Sequence, residues 1–258
     1  SASSAYSSRN RGRAPAGSTG KDNVAGLAER FFKGVHPHAP LKGKDWQALA
    51  EQGDANAQVW LARTLLQTNE LESAIVWLGR AADKGHVDAE TLLGLAYLTG
   101  RAVTRSPGEA LKWLRMAAGK GYPKAEGLLG WALITAAEVR NEAEGGRWTR
   151  KAAADGDPLG QALLGELLLF GKAGTEKNEA EGAAWAHKAA EQGDARAQFL
   201  MASLLAGGIG VAKDLTLSRF WLELAAAQGH AEARKILDQA KRPAGSATAP
   251  ATAPAESK

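Results

Sequence analysis

Apolar and small residues alternate with polar ones at helical spacing through the middle of this sequence, in a register that repeats. Glycines recur 32 to 37 residues apart, and a tryptophan stands eight residues before each of the last five. Two alanines follow four and five residues after each tryptophan. Side chains three and four positions apart share one face of an α-helix, so the pattern predicts an array of repeated helices. The repeat glycines are Gly53, Gly85, Gly121, Gly156, Gly193 and Gly229.

Each repeat is predicted to contain two helices, of which the second ends at a repeat glycine. Glycine suits the left-handed residue that closes a helix. In four repeats a capping residue stands seven positions before the tryptophan. The tryptophan, an alanine four positions later and a small residue three positions earlier form one stripe that faces a neighbouring helix. The predicted caps are Ser106, Asn141, Asn178 and Asp214.

The first helix of each repeat follows the glycine and carries small residues four and nine positions further on. In three repeats the residue at position nine is itself glycine, namely Gly94, Gly130 and Gly165. Glycine inside a helix costs about 1 kcal/mol relative to alanine. Its recurrence at one position therefore predicts a close contact between helices there.

The ends of the chain differ from the middle. Residues 1–20 and 241–258 are rich in Ser, Gly, Ala, Pro and Thr. They are predicted to be disordered, because such segments cannot bury enough apolar surface. Residues 21–52 are expected to form N-terminal capping helices, with an amphipathic helix at 23–33 and a lone second helix at 45–52.

The most complete unit, residues 85–121, resembles the Sel-type repeat, a relative of the tetratricopeptide repeat. It carries Gly-x-x-x-Ala-x-x-x-Leu-Gly-x-x-Tyr-x-x-Gly and then Ala-x-x-Trp-x-x-x-Ala-Ala-x-x-Gly. Residues 208–229 carry the glycine-rich loop signature of the same repeat. The resemblance implies an all-α fold, a right-handed α/α solenoid of about five to six helix pairs in a TPR-like superhelix. It should occupy residues 53–240, between disordered termini, and close with a lone first helix at 230–240.

Two units depart from the repeat pattern in the loop between their helices. The unit from Gly53 to Gly85 is short and has no glycine-rich loop. The unit from Gly121 to Gly156 has Ala136 where the others have a loop glycine. The loop geometry of these two units is therefore left open.

Charge and cysteine content argue against several function classes. Residues 1–50 carry 8 Lys and Arg against 3 Asp and Glu, whereas residues 51–258 carry 24 against 25. The repeat region is thus nearly neutral and gives no support to nucleic-acid binding. The absence of cysteine excludes disulfides, a thiol nucleophile and cysteine-ligated metal sites. No stretch approaches the roughly 18 apolar residues of a membrane span.

The candidate catalytic motifs are incomplete. The segment Gly17–Lys21 lacks the earlier glycine and the following hydroxyl of a phosphate loop. The glycines at Gly207–Gly210 join two predicted helices, whereas a dinucleotide fingerprint follows a strand. His36 and His38 could in principle ligate a metal, but no third ligand is near them in the sequence. We therefore expect no enzymatic activity, no cofactor and no metal site.

By analogy with tetratricopeptide arrays, residues about 3, 6, 10, 13 and 14 positions after each repeat glycine should line the concave face. Apolar side chains cluster there in the middle repeats with charges around them, as at an interaction surface, and Trp131 is the predicted hot spot. The alternative is that tight coiling buries these side chains against the next first helix. The predicted partner-binding residues are Arg63, Leu95, Leu98, Lys124, Trp131, Ile134, Glu166, Leu169, Phe170, Arg196 and Phe199.

The resemblance implies a non-catalytic adaptor, scaffold or regulator that holds a partner protein on its concave face. One alternative is an immunity-type inhibitor that neutralises a toxic effector enzyme. A weaker one is a β-lactam-binding enzyme, because the relatives credited with that activity are cysteine-rich. The sequence does not begin with Met, which fits either a removed leader peptide or a trimmed chain. We expect an exported protein of the bacterial periplasm or envelope, with the cytoplasm as the alternative, and a monomer when no partner is bound.

Overall fold

The computed structural model describes residues 43–241, with side chains from 46 to 240. Within that range the regular structure consists of twelve α-helices and one 3₁₀ turn. The predicted tails lie outside the described residues, apart from Lys241, which ends the last helix. The predicted helix at 23–33 also lies outside them. The fold class expected from the sequence is confirmed, because the helices form α/α pairs that follow one another along the chain.

The first compact unit extends to Gly160, and its described part contains seven complete helices. Each helix packs against the next one in the chain, and α4 also contacts α6. The first helices of the repeats are α2, α4 and α6, and the second helices are α1, α3, α5 and α7. Their bounds are α1 (Gly43–Glu51), α2 (Ala55–Gln67), α3 (Leu71–Ala82), α4 (Val87–Thr99), α5 (Pro107–Gly119), α6 (Pro123–Thr135) and α7 (Glu142–Ala154).

The second compact unit begins at Gln161, inside the next first helix. Its core consists mainly of alanines from the second helices and larger apolar residues from the first helices, such as Ala186, Leu200 and Met201. A smaller cluster around Ala233 attaches the last helix. The helices are α8 (Pro158–Phe170), α9 (Glu179–Glu191), α10 (Ala195–Gly207), α11 (Leu215–Ala227) and α12 (Ala231–Lys241).

The helix ends predicted from the sequence are the observed ones. The side chains of Ser106, Asn141 and Asn178 each accept a hydrogen bond from the backbone N–H three residues further on, and Asp214 caps α11 in the same way. All six repeat glycines have φ between 75° and 97°. A residue with a Cβ rarely adopts this left-handed conformation, which explains the glycine at each helix end.

The predicted close contacts at position nine are also confirmed. A Cβ added to Gly130 would lie 2.9 Å from the backbone nitrogen of Thr149, and one added to Gly165 would lie 2.9 Å from the carbonyl oxygen of Gly182. A Cβ added to Gly94 would lie 2.6 Å from Cγ of Leu114 on α5 and 3.3 Å from the carbonyl oxygen of Ala110. The two helices of a repeat therefore approach each other more closely than alanine would allow.

The two units without a complete glycine-rich loop connect their helices differently. Between α2 and α3 the chain turns in three residues, and Asn69 adopts a φ of 65°. Asparagine tolerates the left-handed region better than most residues, so it replaces glycine here. Between α6 and α7, Ala136 is extended and a 3₁₀ turn, Ala137–Val139, follows.

Candidate partner-binding surface

Four of the predicted partner-binding side chains are buried, and the expectation that they are exposed is wrong. Trp131 is only 4% exposed, and Leu95, Leu98 and Leu169 are buried to a similar degree. In the first unit, α4 contacts α3, α5 and α6, so most of its apolar residues are buried. Burial against the next first helix, the alternative left open by the sequence, applies to α4.

Residues 13 positions after a repeat glycine face the second helix of their own repeat. A Cβ added to Gly145 on α7 would lie 2.7 Å from Cγ1 of Ile134. One added to Gly182 on α9 would lie 2.9 Å from Cγ of Leu169. These glycines stand three residues before a tryptophan and make room for the side chain opposite. Ile134 and Leu169 therefore hold a repeat together, and the structure does not place them on a groove.

The other predicted residues remain accessible on the first helices. They are the charged residues of that set together with Phe170, which is 39% exposed, and the half-buried Phe199. Their role in partner binding stays a prediction. We call these residues the first-helix face, which consists of Arg63 and Lys124 in the first unit and Glu166, Phe170, Arg196 and Phe199 in the second.

In the first unit, a hydrogen-bonded cluster fixes one end of this face. Arg63 on α2 forms an ion pair with Asp88 on α4, with 3.4 Å between Nη2 and Oδ2. The hydroxyl of Tyr122 donates to Oδ1 of the same carboxylate. His86 Nε2 and Asn56 Oδ1 lie 3.0 Å apart beside this pair. Three successive repeats are thereby connected through polar side chains.

The electrostatics of this cluster favour a positioning role. Burial is the main cause that lowers the pKa of His86 below 6.5, so its ring is neutral near pH 7. Burial also raises the pKa of Tyr122, and the hydrogen bond to Asp88 raises it further, so the hydroxyl stays a donor. The ion pair and hydrogen bonds of the cluster therefore orient Arg63.

In the second unit the first-helix face combines an ion pair with aromatic rings. Arg196 Nη2 and Glu166 Oε2 lie 2.5 Å apart and join α10 to α8. The Phe199 ring stacks on His230 with 4.4 Å between ring centroids. Lys172 Nζ lies 5.5 Å from the centroid of Phe170. The charged and aromatic side chains of this face are therefore already held in place.

The sequence analysis missed the repeat-to-repeat polar contacts. The Arg63–Asp88 and Glu166–Arg196 ion pairs each join the residue 10 positions after one repeat glycine to the residue 3 positions after the next. Opposite charges at these two positions could therefore have predicted the contacts. The sequence analysis also missed the buried polar residue that stands five positions after each of the first five repeat glycines. The carboxylates of Glu90 and Glu126 are fully buried and lie 2.5 Å from Lys120 Nζ and Lys151 Nζ, respectively. The residues at position 5 are Gln58, Glu90, Glu126, Gln161 and Gln198.

Metal-binding and membrane-spanning features were also sought among the described residues. Across this part of the chain, no three His, Asp or Glu side chains lie close enough to hold a metal ion. None of the helices between residues 43 and 241 is long and apolar enough to span a bilayer. The His36–His38 pair and the Gly17–Lys21 segment lie outside the described residues.

The chain is similar in sequence and structure to repeat proteins of bacteria. It is 33% identical to a Sel1 repeat protein from Oxalobacter formigenes, with a TM-score of 0.62 and coverage of 84% of this chain and 64% of that one. This chain thus spans just under two thirds of that relative's length. It is also similar to a protective antigen with an SLR fold from uropathogenic Escherichia coli (30% identity, TM-score 0.48, coverage 78% and 52%). An immunity protein from Pseudomonas aeruginosa is more distant, with 21% identity, a TM-score of 0.49 and coverage of 79% of this chain and 72% of that one.

No curated protein matches the chain. The Sel1 repeat family model matches it five times, at residues 57–86, 87–122, 135–157, 158–194 and 195–230. These matches include more than half of the chain; four of them follow a helix pair described above, and the match at 135–157 contains α7 without its first helix α6. On the repeat glycines, the helix pairs and these matches, the chain belongs to the Sel1 repeat family.

Proposed function

We propose that this protein is a non-catalytic scaffold that binds a partner protein through the first-helix face of each unit. Sel1 repeat proteins typically mediate protein–protein interactions. The observation that carries the proposal is that two ion pairs connect successive first helices, Arg63 with Asp88 and Glu166 with Arg196. They hold charged side chains in one arrangement before any partner arrives.

A fixed surface favours binding because it reduces the conformational entropy lost on association. Arginine and aromatic side chains contribute strongly to interface energies, and the second unit offers Arg196 beside Phe199 and Phe170. In the first unit the exposed Lys124 adds a positive charge to this face. A partner with a mixed acidic and apolar surface would fit these groups.

The test begins with the full chain as bait in an extract of its native host, followed by titration calorimetry with the purified partner. Lys124→Glu should weaken binding by roughly tenfold or more, because it reverses a charge on the face. Lys112→Glu is the matched control, since Lys112 is exposed on the second helix α5. Equal effects of the two variants would contradict the proposal.

A second pair of variants tests the face in the second unit. Phe170→Ala should weaken partner binding by about tenfold or more, whereas Leu215→Ala on the second helix α11 should not. Both side chains are partly exposed, so neither truncation opens a buried cavity. Unchanged affinity in Phe170→Ala would remove this side chain from the proposed surface.

The capture experiment also distinguishes a scaffold from an immunity-type inhibitor. Recovery of one enzyme whose activity disappears on mixing would identify an inhibitor, and recovery of several proteins would support a scaffold. A location in the bacterial envelope is part of the proposal. Fractionation of the native host tests it, and recovery of the protein from the cytosolic fraction alone would refute it.

A further inference from the structure

Helix α11 carries large apolar residues at two outer positions. In α3, α5, α7 and α9 the first of these positions is always polar, and the second is polar in α5 and α7. Four residues before the tryptophan it has Leu217, which is 39% exposed, and immediately before the tryptophan it has Phe220, which is 50% exposed. An exposed apolar patch of this kind marks an interaction site. The residues at the first position are Ser73, Glu109, Glu144, Glu181 and Leu217, and those at the second are Val76, Lys112, Arg147, Ala184 and Phe220.

The apolar side chains on α11 lie on one stripe of the helix. Leu217, Phe220 and the half-buried Leu224 are three and four positions apart, so they follow one another along one face. Phe220 packs edge-on against Trp221 with 5.4 Å between ring centroids. This contact gives the exposed ring a fixed support.

A pair of opposite charges flanks this stripe. Arg219 Nε lies 2.8 Å from Glu223 Oε1, and both side chains are exposed. Arg219 stands two residues before Trp221, and Glu223 stands two residues after it. The charge pattern of the helix therefore complements itself when a second α11 lies antiparallel across it.

The helical rise makes this complementarity specific. A residue's height along a helix is set by the rise of 1.5 Å per residue. A two-fold axis that is perpendicular to α11 and passes at the height of residue 221 therefore places Arg219 of one copy at the height of Glu223 of the other. The same axis places Leu217 within about one residue of the height of Leu224 in the second copy. Opposite charges and apolar side chains therefore meet their complements at the same time.

We propose that two copies of this chain associate through α11, antiparallel and around a two-fold axis. Self-complementarity of one surface is what such an isologous contact requires. One helix from each copy buries less than a standard interface, so we expect a dissociation constant of roughly 10 to 100 µM. The sequence analysis led to the expectation of a monomer when no partner is bound, and this proposal departs from that expectation.

Sedimentation velocity of the full chain over a range of concentrations tests the proposal. Phe220→Glu should weaken self-association by about 30-fold or more, because a charge then enters the apolar contact. Ala184→Glu is the matched control, because it adds the same charge at the equivalent exposed position of α9 and should leave association unchanged. A wild-type chain that stays monomeric up to about 0.5 mM, far above the expected range, overturns the proposal. Equal effects of the two variants also overturn it.

A charge exchange tests the antiparallel geometry. Arg219→Glu and Glu223→Arg should each weaken self-association, because like charges then face each other across the two-fold axis. Mixing the two variants should restore association as a heterodimer, since each then supplies the charge that the other needs. Failure of the mixture to associate overturns the geometry. Circular dichroism of every variant confirms that its helices are retained.

Discussion

Replacing Gly130 by alanine tests whether close approach of the two helices determines the glycines at position nine. The new Cβ would lie 2.6 Å from Thr149 Oγ1, 2.9 Å from the Thr149 backbone nitrogen and 3.1 Å from the Gly145 carbonyl oxygen. Two of these three atoms belong to the backbone of α7, which cannot rotate away as a side chain could. The variant must therefore move α6 and α7 apart.

The expected magnitude follows from two opposing contributions. Alanine gains about 1 kcal/mol over glycine inside a helix. Overpacking typically costs about 1 to 3 kcal/mol, and backbone neighbours favour the upper part of that range. We expect Gly130→Ala to lower the free energy of unfolding by about 1 to 2 kcal/mol, which corresponds to a fall in Tm of roughly 2 to 8 °C.

Gly79→Ala is the matched control within the same unit. Gly79 also lies inside a helix, but an added Cβ there would meet no atom within 4 Å. Only the helix propensity should change, so this variant should gain about 0.5 to 1 kcal/mol. Urea unfolding measures both changes, and hydrogen exchange of the α6 and α7 amides locates the loss in Gly130→Ala. A Gly130→Ala protein as stable as the wild type, or a destabilised Gly79→Ala protein, would refute the reasoning.

Three further variants test other features of the described residues. Trp131→Ala should cost about 3 to 5 kcal/mol of stability in urea unfolding, because this side chain is buried; native stability would instead support the groove position expected from the sequence. Gly210→Ala should destabilise the second unit by roughly 2 kcal/mol or more, because its Cβ would lie 2.0 Å from the Glu179 carbonyl oxygen at a φ of 68°; an unchanged unfolding midpoint would contradict this. The Arg105 guanidinium lowers the pKa of Glu138 from 4.5 to about 2, so their ion pair is intact above pH 4.5 and is lost as the pH falls toward 2. Arg105→Ala should return that pKa toward 4.5 in an NMR titration, and a value that stays near 2 would exclude Arg105 as the cause.

The helices and their ends follow from the sequence because their causes are local. Asn141 and Asn178 cap helices through a hydrogen bond to a residue three positions away, and a repeat glycine such as Gly121 ends a helix through its own φ. Such signals need no knowledge of distant neighbours. The internal repeat strengthens them, because the same signal recurs in each unit.

The composition of the candidate surface depended on neighbours that the sequence does not reveal. Periodicity places Leu95 and Trp131 on a helix, but their burial depends on which helices cover that side, and α4 is covered by three. The direction of Ile134 was also misjudged, because it depends on the space that Gly145 leaves on a neighbouring helix.

The sequence by itself determined the α/α repeats, their helix ends and the glycines at the helix contacts, because each depends on spacing along one chain. Only the tertiary structure decided that Arg63 reaches Asp88 and that Phe220 stays exposed. Such contacts join residues on different helices or depend on the absence of a covering helix. The physical reason is that spacing sets the direction of a side chain on its own helix, whereas exposure is set by the helices packed around it.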